Sequence, residues 1–313
     1  MNSIGIDMSK NDFHAAFDEA KVLKFENTEP GIEKFMTFLE DCNYDVNDTK
    51  IGVEATGVYH LLFTMTLSAH EWDVMVINPL ESHRMITQGL RTVKTDRLDA
   101  IKIRTMVGMG KGYLFTDTKE TLALKALVVE RQSLVDMRKM TKQRMEAHRL
   151  KEVAGGIPFF DGMSGVKEAL DQSIKRLGKR MNDYEPETQA LLRSIPGVGQ
   201  TTAAVLVAFI GNIHRFETPE KLVAYIGLDS RVFQSGTSVH GKGYMSKRGN
   251  VYLRHILFNA AFIAKRRNPE LAAYFLKKTG EGKHYFSALC AVERKLVHLI
   301  YAVWKRGTPF EKR

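Results

Sequence analysis

The chain has 313 residues, 44% of them hydrophobic, and a formal net charge of +10. That length predicts two or three domains with cores of their own, and no apolar stretch is long enough to span a bilayer. Its two cysteines, Cys42 and Cys290, lack disulfide-scaffold or metal-ligand spacing and read as reduced, buried residues of a cytosolic protein. The start, through Ile4-Gly5-Ile6-Asp7, runs directly into a strand and does not resemble a signal peptide, so a cytoplasmic location is expected.

Residues 3–7, 13–17 and 21–26 read as three short strands in a meander. Periodicity through Ile32, Phe35, Phe38 and Leu39 predicts a helix from Gly31 to Glu40. Ile51–Glu54 reads as a strand, Gly57–His70 as a helix, and Asp73–Ile77 as a strand stopped by Asn78-Pro79. The polar stretch 81–95, with His83, Arg84 and Arg91, either touches substrate or is simply solvated. A helix carrying Asp96 and Asp99 follows. This order, β-β-β-α-β-α-β and then a helix, is that of a ribonuclease-H-like α/β domain, in which the first and fourth strands lie together at the centre of a mixed sheet.

Four carboxylates stand out in that frame. Asp7 and Glu54 each end an apolar run, where a charge is costly to bury unless paired or bound to metal. Asp96 and Asp99, three apart, share one helix face. Carboxylates converging from several elements suit hard cations such as Mg²⁺, and paired ions of this kind drive in-line attack at phosphodiesters.

Residues 119–150 predict a long charged helix through Leu124, Leu127, Leu134 and Met137, broken at Gly155-Gly156-Ile157-Pro158. Leu170, Ile174, Leu177, Met181 and Tyr184 then follow in 4-3-4-3 spacing, a short coiled-coil seam. The pair reads as an antiparallel or intermolecular coiled coil joining two domains, or as a plain helical linker. Further on, Ile195-Pro196-Gly197-Val198-Gly199 precedes the apolar helix Thr201–Ile210. Such a turn is the core of a helix-hairpin-helix motif, in which Gly197 and Gly199 would let backbone N–H groups approach a nucleic-acid phosphate, although any tight turn between helices could use the same residues. Expected domains are 1–117, a linker at 118–186, and a mainly α domain at 187–313.

Charge is divided unevenly. Residues 1–118 carry −6 and residues 119–313 carry +16. No acidic residue lies between Arg231 and Arg267, a span that holds Lys242, Lys247, Arg248, Arg254, Lys265 and Arg266. A one-sign segment points to a polyanion, and with no amphipathic basic-aromatic helix the expected partner is nucleic acid, not membrane. Ser235-Gly236-Thr237-Ser238 lies in this segment, on a loop kept open by small residues. A serine attacking a phosphodiester would conserve its bond energy for religation, but the residues alone do not select Ser235 over Ser238.

With these motifs in place, the chain resembles the DEDD-type transposases of bacterial insertion sequences, the bridge-RNA-guided recombinases that also include a pilin-gene invertase. The resemblance spans essentially the whole chain. It rests on Gly5-Ile6-Asp7, Val53-Glu54-Ala55-Thr56-Gly57, Ile77-Asn78-Pro79, Lys94-Thr95-Asp96-Arg97-Leu98-Asp99-Ala100, Ile195-Pro196-Gly197-Val198-Gly199, Tyr225-Ile226-Gly227-Leu228, Ser235-Gly236-Thr237-Ser238 and Met245-Ser246-Lys247-Arg248-Gly249-Asn250. It implies a RuvC-like N-terminal domain whose Asp7, Glu54, Asp96 and Asp99 bind Mg²⁺, and it implies that Ser235 is the nucleophile. It also implies a guide RNA pairing with donor and target DNA, and a tetramer in which one copy's carboxylates face another's serine. Gln234 stands where an acidic residue can precede the serine. Two other readings compete. A Holliday-junction-type endonuclease would use the same carboxylates on water and has no need of the serine loop. A non-catalytic nucleic-acid binder would be expected to have lost a carboxylate.

Overall fold

The computed structural model describes residues 2–55, 57–79, 82, 95–156, 162–231, 234–235, 239–240, 244–245 and 249–311, with the backbone alone described from 230 to 245. His83, Arg84, Arg91, Pro158, Ser238, Lys242, Lys247 and Arg248 lie outside the described residues. The chain divides into two compact units, Met1–Thr118 and Lys119–Arg313.

Unit 1 contains β1 (Asn2–Met8), β2 (Asp12–Ala16), β3 (Val22–Glu26), α1 (Glu29–Asp41), β4 (Thr49–Glu54), α2 (His60–Ala69), β5 (Asp73–Ile77), α3 (Asp96–Gly108) and β6 (Tyr113–Leu114). The sheet order is β3-β2-β1-β4-β5-β6. β1, β4 and β5 run parallel, while β2, β3 and β6 are antiparallel to their neighbours. The first and fourth strands are therefore the central pair, as the element order predicts. The two-residue β6 carries too little pattern to be read from sequence.

Helices cover both faces of this sheet. On one face Phe13 meets Phe35 of α1 edge-on at 5.6 Å and Phe63 of α2 at 5.0 Å. α1 is started by Thr28, whose side chain accepts from the Gly31 N–H, and by a proline in its first turn. It ends at Cys42, which is exposed, while Cys290 is half-buried, a correction to the expected burial of both; neither forms a disulfide. On the other face α3 packs Ile103, Met106 and Val107 against Ile77.

Unit 2 contains α4 (Lys119–Gly155), α5 (Ser164–Arg180), α6 (Pro186–Arg193), α7 (Gln200–Ile210), α8 (Pro219–Ile226), four two-residue strands, α9 (Val251–Arg267), α10 (Pro269–Gly280) and α11 (Tyr285–Arg306). α7 is apolar nearly all round, so it sits at the centre, with Thr202 to Ala208 all buried. Leu124, Leu127 and Val128 at the start of α4 share this core with Leu177 and Met181 at the end of α5. Arg138 meets Asp171 at 2.9 Å further along. The two helices therefore run antiparallel, and residues 119–186 belong to the same unit as the helices that follow. Among the described residues no helix is long and apolar enough to cross a membrane.

Candidate active site

The geometry of the carboxylates begins with two glycines. Gly5 and Gly52 are partners across the β1–β4 pair. A Cβ on Gly5 would lie 2.1 Å from the Ala100 carbonyl oxygen, and one on Gly52 would lie 2.1 Å from Val107 Cγ2. α3 thus lies directly on both strands, at a distance only glycine allows. Ala100 sits over Gly5 while Arg104 Nε donates to the Ser3 carbonyl at 3.1 Å. The helix therefore runs opposite to β1, with its first turn at the strand's C-terminal end.

Residues two apart on a strand share a face, so Asp7 and Glu54 stand on the side where α3 packs. Ile6 pairs with Val53, which makes Asp7 and Glu54 the next residues along adjacent parallel strands. Thr95 caps α3, accepting from the Leu98 N–H at 3.3 Å, and Asp96 and Asp99 occupy the first turn. Negative charge is favoured there by the helix dipole. His14 is the β2 partner of Asp7, and its Nδ1 lies 3.9 Å from Asp96 Oδ2. Two strands and one helix start thus deliver the four acidic residues to one end of the sheet.

Protein groups also engage Glu54 and Asp99. Ser82 Oγ donates to Glu54 Oε2 at 2.8 Å, and Lys102 Nζ donates to Asp99 Oδ1 at 2.9 Å. The Asp96 side chain is 70% exposed and that of Asp99 14%. Among the described residues no three His, Cys, Asp or Glu side chains close around a single point. The set is all carboxylate oxygen, which fits a hard divalent cation in kind, and it is gathered by the fold without being drawn together into a closed ligand cluster. Sequence reasoning missed His14, Ser82 and Lys102, which have no local signature. It also missed the repeated glycine two residues before Asp7 and before Glu54, a signal that was there to be read.

In unit 2, Ser235 lies in β8 (Gln234–Ser235), paired antiparallel with β9 (Val239–His240) so that Ser235 opposes Val239. Further out, β7 (Ser230–Arg231) pairs with β10 (Tyr244–Met245). The segment expected as an open loop thus carries two short ladders, one nested inside the other. Among the basic residues, Arg266 and Arg267 are exposed in the last turn of α9, with the Arg266 guanidinium 4.5 Å over the Phe262 ring. Arg254 does not face outward as expected; its guanidinium donates to the carbonyls of Ile226 and Gly249. Gly197 has φ +100°, and a Cβ there would lie 2.6 Å from Ala264 Cβ, so packing against α9 requires this glycine. Gly199 is the exposed N-cap of α7, with open space around it.

Comparison with known proteins bears on both units. Residues 4–153 match a transposase family model of the DEDD type named for IS110, and residues 189–276 match one described as transposase, IS116/IS110/IS902 family. The chain belongs to the IS110/IS116 family of transposases. The DEDD match covers all four acidic positions and implies a ribonuclease-H-like fold for this mixed sheet. Over 99% of its length the chain is 28% identical to the pilin gene-inverting protein of Moraxella lacunata, covering 98% of that protein. It is 23% identical to a transposase for insertion sequence element IS1328 of Yersinia enterocolitica, covering 99% of this chain and 98% of the relative. A protein of insertion element IS110 from Streptomyces coelicolor is 30% identical over half of this chain and 41% of its own length.

Proposed function

We propose that the chain cuts and rejoins DNA as the transposase of an insertion sequence, through a phosphoserine intermediate. The observation that carries this reading is the arrival of Asp7, Glu54, Asp96 and Asp99 at one end of the sheet from three elements. These four would hold Mg²⁺, which when bound supplies positive charge at a phosphoryl group and eases loss of a hydroxyl proton. Ser235 is the nucleophile. Its Oγ bonds to phosphorus as its proton leaves and a phosphorus–sugar-oxygen bond breaks, freeing a DNA hydroxyl. A second DNA hydroxyl then attacks the phosphoserine and restores the serine.

A guide RNA pairs with donor and target DNA, which leaves the protein to read backbone and shape. Arg231, Lys242, Lys247, Arg248, Arg266 and Arg267 serve that purpose, with the Gly197–Gly199 turn presenting the N-terminus of α7 to phosphate. Several copies assemble, up to a tetramer, and one copy's carboxylates act with another's serine. Met137, Met140, Leu150 and Val153, exposed apolar side chains along the outer part of α4, support contact between copies. The relatives' names, a gene-inverting protein and insertion-sequence transposases, support DNA rearrangement as the outcome.

The test is mass spectrometry of a trapped protein–DNA adduct. DNA is expected on Ser235; Ser235→Ala should lose adduct and recombinant while still binding DNA, and Ser238→Ala should keep adduct. DNA found on Ser238 or Tyr244 would reassign the nucleophile. Cutting with no adduct at all would favour metal-activated water, the hydrolytic resolvase.

A further inference from the structure

The hairpin that carries Ser235 leaves unit 2 between α8 and α9, and both of its feet are fastened from within the unit. Gly249, on the returning foot, packs so closely on the outgoing one that a Cβ would lie 2.1 Å from the Tyr225 carbonyl oxygen and 2.3 Å from the Ile226 carbonyl carbon. Arg254, in the first turns of α9, donates through Nη1 to the Ile226 carbonyl at 3.1 Å and also to that of Gly249, one acceptor on each foot. From α11, Arg294 Nε donates to the Leu228 carbonyl at 2.6 Å. Glu293 is 1% exposed and interacts electrostatically with both arginines; its Oε1 has no hydrogen-bond partner among the described residues. Just beyond the feet the backbone pairs Ser230 with Met245 and Arg231 with Tyr244.

We propose that Arg254 and Arg294 are positioning residues, which lock the two feet of the hairpin and so fix where Ser235 stands. The consequence for chemistry rests on Ser235 being the nucleophile; the clamp itself does not. A guanidinium suits this place because it stays charged and offers five N–H donors in a rigid plane, whereas an ammonium is a flexible point charge. Burial works against the charge on Arg254, and Glu293, when ionised, works in its favour. A cation kept partly out of water to hold main-chain carbonyls serves the protein's own geometry. Its one-sign neighbourhood would otherwise assign it to nucleic acid.

The experiment is hydrogen exchange on the full-length protein, comparing Arg254→Met, Arg294→Met and Arg254→Lys with the parent. In Arg254→Met, losing two hydrogen bonds from a charged donor should speed exchange at the ladder-bonded amides of the hairpin, within 230–231, 234–235, 239–240 and 244–245, by roughly tenfold or more. The cores of α7 and α11 should stay within about twofold, and Arg254→Lys should restore protection in part. Unchanged exchange at the hairpin would overturn the clamp. Loss spread evenly through α7, α9 and α11 would also overturn it, making Arg254 an ordinary stabilising residue. A second readout is adduct yield on DNA, which should fall in Arg254→Met by a similar factor with DNA affinity kept. Full adduct yield from a loosened hairpin would overturn the positioning role. If the parent forms no adduct at Ser235, the exchange result still decides the clamp, so the two failures are separable.

Discussion

Asp7 and Asp99 carry the same charge among different neighbours, so their neutral isosteres should part company in stability. Asp99 is paired with Lys102, and Asp99→Asn should cost about 1 kcal/mol or less by loosening a partly exposed ion pair. Asp7→Asn relieves repulsion among carboxylates, and stability should hold or rise. Both should lose cutting by roughly a hundredfold or more if the quartet holds the metal, and near-parental recombination in chelator would sink that assignment. Glu293 supplies a pH signature. Burial lifts its pKa from 4.5 to about 8, with Arg254 and Arg294 pulling the other way. The folded chain therefore keeps a proton that the unfolded chain has released, and stability should fall as pH rises from about 4.5 to about 8. Glu293→Gln should flatten that decline, matching the parent near pH 4 and exceeding it above pH 8. Denaturant titrations with the same pH slope in both proteins would contradict this.

At the scale of elements, the site depends on how closely a helix can lie on a sheet. Gly5→Ala drives a methyl into the Ala100 carbonyl, so α3 must shift. About 1–3 kcal/mol of destabilisation is expected, with a loss of cutting larger than the change in melting temperature would explain, because the first turn of α3 moves with it. The two glycines of the Pro-Gly-Val-Gly turn should also differ. Gly197→Ala meets both a φ of +100° and Ala264, whereas Gly199→Ala meets open space. Thermal melts should show a clear drop for the first and little for the second. Equal drops would show that Gly199 is constrained by something other than contact.

Across the whole molecule the charge division matters most, with −6 on residues 1–118 and +16 on the rest. If Lys247, Arg248, Arg266 and Arg267 touch phosphate, neutralising any two should lower the salt slope of nucleic-acid binding by roughly one to two units. Arg254→Met should leave that slope unchanged, since its guanidinium is spent on Ile226 and Gly249. Filter binding across a salt series would separate the two classes, and a reduced slope for Arg254→Met would return that residue to the nucleic-acid surface.

The sequence by itself determined the order of elements in unit 1 from β1 to α3, though not β6, and placed β1 beside β4. Short apolar runs ended by acidic residues and breaks such as Asn78-Pro79 are local signals that survive folding unchanged. It also determined which face of α5 is buried, because Ile174 and Leu177, with Met181 just past the helix end, recur at helical spacing. Only the tertiary structure decided which residues surround the carboxylates. His14, Ser82 and Lys102 reach them through cross-strand register, a helical turn after β5 and the first turns of α3. Only the tertiary structure turned Arg254 inward, and only it gave Gly197 a packing role against α9. The physical reason is the same in each case: composition fixes how much charge a segment carries, but the direction of a long side chain is settled by which unsatisfied carbonyls and which neighbouring helix lie within its reach.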